Sequence, residues 1–559
     1  MSEGRSIGYI IGGISLSPDT ASEEACRIAA SEMKRAGVAP AQLNFDICKY
    51  SVDARKKNDV RLVYSVSVRS KDGSEIKMPS KSRYTVSPLY EKKLELKKGN
   101  EKCNEPPLVV GMGPAGLFCA LLLAENGYAP VIIDRGDSVA KRTEAHRRFR
   151  EFGILDTESN IQFGAGGAGT FSDGKLLTRV NDPRVSYVIE RFCDFGAPEE
   201  IKIKAKPHIG TDLLCGIVDS ILKRIEALGG SVLYRTKLED IKRQADGSIT
   251  VRTSKGDISC SSLCLATGHS ARDTYKMLME SGYSVETKPF SVGVRIEHLQ
   301  SRIDEAMYGR FAGHPKIGKG EYHLSDTSTG RGVYTFCMCP GGEVVAAASE
   351  DGGVVVNGMS SFARDGRNAN SAVCVSVHPE DHGGTPESAI AFQRRLERAA
   401  YAIGGGDYYA PVQTVGDFLD GKKGSELTDV IPTYRDGRVR LASMDDILPE
   451  FVCRELRHGL LSFERKLSGF SSPTAVLSGV ETRTSAPVRI LRTAELCAVG
   501  HDRIYPCGEG AGYAGGITSA AIDGIRVAEK IMERFAPINR RIMLQDTDPC
   551  RYTEVEEDD

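Results

Sequence analysis

The chain has 559 residues, of which 40% are hydrophobic and 26% charged, and a formal net charge of −2. This length can bury a large core in about three domain-sized units, and the balanced charge excludes a global bias toward nucleic acid or membrane. No apolar run approaches the roughly 18–20 residues of a membrane span, and the N-terminus lacks the apolar core of a signal peptide, so we expect a cytoplasmic protein.

Residues 1–97 predict a small N-terminal α/β module. The sequence TASE at 20–23 has the form of a capping box, which predicts a helix that ends near Gly37. The alternation of apolar residues over 61–68 predicts a strand. The first hundred residues contain 18 Lys and Arg against 12 Asp and Glu. This basic excess would suit a nucleic-acid or partner surface, but an ordinary solvated face is favoured.

The sequence LVVGMGPAGL at 108–117 predicts a strand, a G-x-G-x-x-G turn and a helix. In this fingerprint Gly111 permits the tight turn, Gly113 lets the backbone approach a pyrophosphate, and Gly116 lets the helix pack close to the strand. A second apolar run ends at Asp134, at the separation expected of the carboxylate that accepts ribose hydroxyls. The pattern therefore predicts a dinucleotide cradle.

Residues next to this turn complete the predicted cradle. Pro114 and Ala115 open the helix, whose free N–H groups would face the phosphates. Arg135 and Arg142 follow Asp134, and we expect them to reach adenine or pyrophosphate oxygens.

A glycine-dense passage, QFGAGGAGTFSDGK at 162–175, is too rich in glycine for an ordinary connection. Its Gly166, Gly167 and Gly174 would bring backbone N–H groups close to a flavin ring or pyrophosphate, although a flexible surface loop is the alternative. Lys175 is a candidate for the cation that stabilises the anionic reduced flavin.

Two later segments extend the pattern. The strand LCL at 263–265 leads into Ala266, Thr267 and Gly268, and IYPC at 504–507 leads into a second glycine-rich turn and helix. Such a closing element aims an acidic residue and a helix N-terminus at the cofactor. Three elements in this order favour FAD over NAD. The closing element contributes the candidate cofactor residues Gly508, Glu509, Gly515, Gly516 and Ile517.

Between these elements the composition changes. Residues 285–380 are rich in β-forming runs that predict an antiparallel sheet, and helices are predicted at 386–403 and 445–467. The sequence thus predicts an α/β protein with a two-part Rossmann-like FAD-binding fold. Its first part is 106–284, a substrate or cap domain with a mixed or antiparallel sheet is 285–475, and the closing part is 476–535. We expect the acidic tail, 536–559, to be disordered.

Six strings carry a family resemblance over about 106–535. The chain resembles a family of FAD-dependent dehydrogenases, mostly uncharacterised, that is related in fold to the glutathione reductase and hydroxybenzoate hydroxylase flavoproteins. The resemblance implies an FAD oxidoreductase, and that the N-terminal module belongs to the architecture, without naming a substrate. The strings are GTFSDGKL at 169–176, KPHIGTD at 206–212, GHSARD at 268–273, FCMCPGG at 336–342, ARDGRNANS at 363–371 and GVETRTS at 479–485.

The candidate catalytic residues are Lys175, Cys337, Cys339 and His269. Cys337 and Cys339 lie two apart on a predicted strand, so a redox pair would need strained geometry, and packed small residues beside the ring are favoured. His269 is a candidate proton donor, with a structural histidine favoured. Arg483 would pair either with an anion or with an ordinary carboxylate.

The cysteines predict no metal site. The chain has 15 of them without a framework spacing, which favours free thiols in a reducing compartment over a disulfide scaffold. The closest groupings, at 337–339 and 260–264, are not C-x-x-C pairs.

The sequence leaves three functions open. The leading hypothesis is an FAD-dependent oxidoreductase that transfers a hydride between flavin N5 and a small organic substrate. The alternatives are a flavin-dependent tRNA-modifying enzyme, favoured by the basic N-terminal module, and a non-catalytic FAD-binding protein. No second strand–GxGxxG–helix unit is free to bind NAD(P)H, so such a reductant would dock only transiently at the flavin.

Overall fold

The computed structural model describes residues 6–76, 82–90, 94–178, 180, 182–244, 247–424 and 426–538. Of the predicted acidic tail only 536–538 are described, so that prediction lies almost wholly outside the described residues. Within them, no helix has the length and apolar character needed to cross a bilayer. Every cysteine in these segments carries a free thiol.

The N-terminal module is a four-stranded antiparallel sheet with one helix. Its elements are β1 (Ser6–Leu16), α1 (Glu23–Arg35), β2 (Leu43–Asp53), β3 (Arg61–Ser70) and β4 (Thr85–Tyr90). The sheet order is β2–β3–β1–β4. The predicted helix and strand are confirmed, but the predicted capping box is wrong. The helix begins at Glu23, which is therefore its first residue and not its third, and the preceding Ser22 has helical backbone angles and caps no N–H group.

The first nucleotide-binding segment alternates short strands with helices, as the glycine fingerprint predicts. Its elements are β5 (Leu108–Val110), α2 (Pro114–Glu125), β6 (Val131–Ile133), α3 (Val139–Phe152), α4 (Arg184–Asp194), α5 (Thr211–Ala227), β7 (Ser231–Leu233), β8 (Leu238–Arg243), β9 (Ile249–Thr253), β10 (Gly256–Cys260), β11 (Leu263–Leu265) and α6 (Arg272–Glu280). Strands β8, β9 and β10 form a separate antiparallel sheet.

The rest of the chain builds a large sheet and then returns to the nucleotide-binding part. Its elements are β12 (Val285–Thr287), β13 (Phe290–Leu299), α7 (Gln300–Tyr308), β14 (Ser325–Asp326), β15 (Val333–Cys339), β16 (Glu343–Ala346), β17 (Val356–Met359), β18 (Asn368–Val377), α8 (Pro379–His382), α9 (Pro386–Ile403), β19 (Ala410–Thr414), α10 (Val415–Asp420), β20 (Val439–Leu441), α11 (Glu450–Lys466), β21 (Val476–Glu481), β22 (Val488–Ile490), β23 (Ile504–Pro506) and α12 (Ile517–Arg534).

A five-stranded parallel sheet of order β23–β11–β5–β6–β7 positions the glycine-rich turns. Helix α2 is apolar on all sides and buried along its length, since it packs between this sheet and α12. The two helices cross closely at Gly524, where a Cβ atom would lie 2.0 Å from the Ala115 carbonyl oxygen. Because the carboxyl ends of parallel strands share one edge, the turns after β5, β11 and β23 converge there.

The cap domain is a seven-stranded mixed sheet of order β14–β15–β18–β13–β21–β19–β20. Its strands pair antiparallel except for β19 with β20. Helix α9 has the predicted bounds, and α11 begins later than predicted, at Glu450 after Pro449. The boundary predicted at 476 is too early, because β21 pairs with β13 and β19 inside the cap sheet. The run around 476–481 is apolar, and apolar runs alone do not reveal which sheet a strand joins.

Candidate functional site

A cavity of about 400 Å³ lies where the parallel sheet meets the cap sheet. Its size suits a small-molecule site. The turns after β5, β11 and β23 line it from one side, together with the glycine-dense loop. Strand ends of the cap sheet line it from the other side, through Phe336, Cys337 and Glu481. Residues more than 300 positions apart in the chain therefore face one space.

The turn after β5 has the conformation that the fingerprint predicts. Gly111 has φ +103°, and a Cβ atom there would lie 2.2 Å from the Ala266 carbonyl oxygen. Gly116 packs against the same turn, since its Cβ would lie 1.8 Å from the Gly111 oxygen. Gly113 is different, because its Cβ would meet only the Gly167 Cα at 3.9 Å. The space beside Gly113 is therefore cavity, whereas Gly111 and Gly116 serve the fold.

Two helix N-termini face this space. Gly113 precedes α2 and Gly516 precedes α12, and neither terminus is capped by a side chain. Uncapped N–H groups at a helix start form an anion site, so both termini suit phosphate oxygens. At Gly515 and Gly516 a Cβ atom would meet nothing within 4 Å. The side-chain oxygen of the buried Gln162 also lacks a hydrogen-bond partner within the described residues. These open, unsatisfied groups fit a bound dinucleotide.

Asp134 lines the cavity, but its carboxylate already organises the backbone. The N–H groups of Met112 and Gly136 each donate to one of its oxygens at 2.8 Å. Each oxygen keeps a second lone pair, so acceptance from ribose hydroxyls is compatible with this arrangement. Arg135 also lines the cavity, where it pairs with Asp273 at 2.8 Å and stacks on Phe163.

Arg142 is not where the sequence places it. Its side chain is fully buried and donates to the carbonyl oxygens of Asn160, Ala165 and Gly167 in the glycine-dense loop. The guanidinium thus links three carbonyl groups of the loop and holds the loop in shape. The predicted contact with adenine or pyrophosphate is therefore wrong for Arg142.

Most of the predicted cofactor residues line the cavity, but some stand behind its wall. Besides those discussed, the lining includes Pro114, Ala115, Gly167, Gly174, Lys175, Ala266, Thr267, Gly268, Glu509 and Ile517. Four predicted residues are absent from the lining: Gly116, Arg142, Gly166 and Gly508. The three glycines among them have roles in the fold instead. Gly166 has φ +84°, and Gly508 donates its N–H to Asp523 of α12 at 2.8 Å.

The turns after β11 and β23 are joined directly. The buried hydroxyl of Tyr275 lies 3.1 Å from the Gly268 carbonyl oxygen and 2.8 Å from that of Gly510, and can donate to both. Glu509 therefore sits in the wall next to the A-T-G turn. Burial raises the pKa of Glu509 to about 7, with Lys288 opposing the rise and Cys337 adding to it. Its carboxyl group is thus able to gain or lose a proton near neutral pH.

Lys175 is held at the cap end of the cavity. Its ammonium group donates to Asp173 at 2.5 Å and to the carbonyl oxygen of Met338 on β15. Arg364 forms a second ion pair with Asp173. Burial opposes ionisation of Asp173, but Lys175 and Arg364 outweigh it and lower the pKa to about 2. No role is predicted for Asp173 and Arg364 from the sequence, because only the fold brings these two residues together.

His269 lines the cavity, and its Nδ1 lies 3.0 Å from the Ser270 hydroxyl. Burial lowers its pKa to about 3, and the nearby Arg483 and Arg272 contribute to the shift. The imidazole is therefore neutral at physiological pH, which argues against the candidate role as a proton donor in the imidazolium form.

Arg483 also faces the cavity but is already paired. Its guanidinium lies 3.0 Å from the Glu397 carboxylate, and Arg272 binds the same carboxylate at 2.7 Å. All three residues are buried. Of the two partners that the sequence left open for Arg483, the structure shows an ion pair with a carboxylate.

Cys337 and Cys339 do not lie on a regular strand as predicted. The pairing of β15 with β18 shifts between Phe336 and Cys339, and Cys337 has φ +44°. This β-bulge places one extra residue in the strand and turns the chain. Cys337 lines the cavity, whereas Cys339 is fully buried behind it. The run 333–339 is almost entirely apolar, so it has no apolar–polar alternation in which the extra residue could be detected.

Comparisons with known proteins agree with the cofactor expected from the sequence. Residues 289–484 match a family model described as "FAD-dependent protein, C-terminal domain-like", and 11–69 match a domain of unknown function. An uncharacterised protein of Clostridium beijerinckii is 47% identical over 503 residues, which cover 88% of this chain and 92% of that protein.

Three solved flavoproteins share remote similarity with the chain. CtdE in complex with FAD is 11% identical, with 77% of this chain and 86% of that chain covered and a TM-score of 0.32. A mutant of the halogenase PltM in complex with FAD is 11% identical, with coverage of 77% and 69% and a TM-score of 0.37. The amino acid oxidase NikD is 11% identical, with coverage of 78% and 93% and a TM-score of 0.29.

Proposed function

The chain belongs to a family of FAD-dependent proteins and its cofactor is FAD, and on that premise we propose that it is an oxidoreductase. In this proposal a hydride passes between flavin N5 and a small organic substrate. The observation that carries the proposal is the single cavity into which two uncapped helix N-termini and the side chains of the cap sheet both face.

The two ends of the cavity have different tasks in this proposal. The turns around Gly113 and Gly516 hold the pyrophosphate through backbone N–H groups. When bound, FAD supplies the two-electron chemistry. At the cap end Lys175 places a positive charge in the wall, where it favours the anionic reduced state. Glu509, with its pKa near 7, exchanges a proton with the substrate at neutral pH.

The proposed substrate is small and need not be anionic. Arg483, the arginine in the cavity wall at this end, is already paired with Glu397, which it shares with Arg272, so the substrate is not required to supply a carboxylate or phosphate. Two kinds of electron donor are compatible with this proposal. NADH or NADPH would dock at the flavin face, or the substrate itself would reduce the enzyme.

The test is anaerobic stopped-flow reduction of the purified holoprotein by NADH, by NADPH and by a panel of small alcohols and amines. We expect flavin bleaching by at least one of them and a rate at least about tenfold lower in Lys175→Met, which removes the cation. Lys204→Met is the matched control, since Lys204 forms its ion pair with Glu200 at 2.6 Å and is not part of the cavity lining.

Two outcomes contradict the proposal. Holoprotein that retains tRNA through purification, with salt-dependent binding and no reduction by the panel, would favour the tRNA-modifying alternative. Equal reduction rates in Lys175→Met and the wild type would remove Lys175 from the chemistry.

A further inference from the structure

The proposed hydride transfer gives no role to the two thiols at the bulge of β15. Cys337 faces the cavity, and Cys339 lies directly behind it with no exposed surface. The Cys339 thiol does not stand perpendicular to the strand, because it donates to the carbonyl oxygen of its neighbour Cys337 at 3.3 Å. The side chain is therefore folded back toward residue 337.

The segment that carries the two thiols is fixed from both sides. Arg295, which is fully buried, donates to the Cys337 carbonyl at 3.2 Å and pairs with Glu481 at 2.9 Å. Lys175 donates to the Met338 carbonyl. Two cationic side chains thus hold the backbone of the bulge and place positive charge beside both sulfur atoms.

The charges act on the thiols in opposite directions. The nearby Cys339 side chain lowers the pKa of Cys337, against burial, and the positive charges of Lys175 and Arg295 assist. The Cys337 side chain and burial raise the pKa of Cys339. Of the two thiols, Cys337 at the cavity therefore loses its proton more readily, and Cys339 behind it retains its proton more firmly.

We propose that Cys337 and Cys339 form a redox-active pair, which cycles between a thiol–thiolate state and a disulfide and exchanges two electrons with the flavin. The inference rests on FAD binding in this cavity and goes beyond the proposed hydride transfer. It assigns the protein a second two-electron centre next to its cofactor.

The exchange balances without any further reactant. On oxidation the S–H bond of Cys339 breaks and an S–S bond forms between the two sulfur atoms. Two electrons and the single proton released pass to FAD. The product is the anionic reduced flavin, which carries one proton more than the oxidised flavin, and Lys175 lies at hand to stabilise its charge. In the reverse direction the disulfide would accept two electrons and one proton, and the S–H bond of Cys339 would form again.

Reductive titration of the holoprotein counts the electrons directly. After air oxidation, the wild type is titrated anaerobically with dithionite while flavin absorbance is followed. We expect uptake of about four electrons per FAD in the wild type, since flavin and disulfide are each two-electron couples. Cys337→Ser and Cys339→Ser should each take up about two.

Cys48→Ser is the matched control and should retain the wild-type uptake. Cys48 is also a half-buried strand cysteine whose thiol donates to a backbone carbonyl, that of Ser65 at 3.4 Å, but it lies in the N-terminal module. Uptake of two electrons in all four proteins would overturn the proposal.

A mass measurement provides a second readout that requires no variant. Trypsin cleaves after Arg331 and Arg364, and the peptide 332–364 contains only Cys337 and Cys339 as cysteines. The oxidised holoprotein should yield this peptide two mass units lighter and resistant to alkylation until it is reduced. Two alkylated thiols in oxidised holoprotein would contradict the pair even if a serine variant failed to fold.

These measurements distinguish failure of the proposed function from failure of the redox-pair proposal. A holoprotein that no nicotinamide or small substrate reduces would still take up electrons from dithionite, and its uptake would still report on the thiols. Absence of FAD would appear as absence of flavin absorbance.

Discussion

The two ends of the cavity are built on different principles. The nucleotide end is made of glycine turns and helix N-termini, in which backbone N–H groups are the binding groups. The cap end is made of charged and thiol side chains, such as Lys175 and Cys337, that strands and loops distant in sequence bring together. The first kind of site is local in sequence, and the second exists only after the sheets have packed. Cofactor binding and chemical reactivity therefore depend on separate parts of the chain.

The largest expected effect is on cofactor binding at the nucleotide end of the cavity. In Gly113→Val the side chain should enter the cavity without a clash in the protein, because a Cβ atom there meets only Gly167 Cα at 3.9 Å. We expect complete loss of bound FAD with little change in circular dichroism, measured by the ratio of flavin to protein absorbance. Gly216→Val is the control, since a Cβ atom at this glycine of α5 meets nothing within 4 Å. A yellow Gly113→Val protein would show that the turn does not hold the pyrophosphate.

The next effect tests the cap end, where one carboxylate holds two buried arginines. In Glu397→Gln the guanidinium of Arg483 loses its carboxylate and that of Arg272 keeps only Glu350, at 3.0 Å, and breaking a buried pair costs about 3–5 kcal/mol. We expect that loss in the free energy of unfolding by urea. Glu387→Gln lies on the same helix but is exposed, so it should change stability by less than about 0.5 kcal/mol. Equal stability of the two variants would show that the arginines find other partners.

The smallest expected effect concerns Glu509, which belongs to a glycine-rich turn of the nucleotide end but faces the cap end of the cavity. Its folded pKa of about 7 lies above the ordinary glutamate value of 4.5. The folded state therefore holds this proton more tightly than the unfolded chain. Its contribution to stability is complete below pH 4.5 and is lost as the pH rises through 7. Glu509→Gln has no such loss, so it should match the wild type below pH 4.5.

At pH 8 the Glu509→Gln variant should be more stable than the wild type by about 1–3 kcal/mol. Thermal unfolding at both pH values measures the difference. Parallel pH profiles in the two proteins would mean that Glu509 ionises as an exposed carboxyl group does.

The cap end shows why the reactive groups could not be predicted fully. The sequence predicts Cys337 and Cys339 as candidates but not the left-handed backbone of Cys337, because the run 333–339 has no apolar–polar alternation that an added residue would shift. Asp173 lies in the string GTFSDGKL, but the sequence does not predict a role for it, because its partner Arg364 is 191 residues away. The prediction for Arg142 fails because the position of a residue in the chain does not show which groups surround its side chain. Position after Asp134 suggests a phosphate contact, but the fold surrounds the side chain with carbonyls.

The sequence by itself determined the parallel strands, the glycine turns and the order of the elements around FAD. Glycine spacing and apolar runs act over a few residues, where the backbone alone decides the structure. Tertiary structure alone decided that β21 joins the cap sheet, which carboxylate neutralises Arg483, and how Lys175 and Arg295 surround the two thiols. Charge pairing and burial are properties of groups that meet in space, so they arise only when the two sheets close on one another.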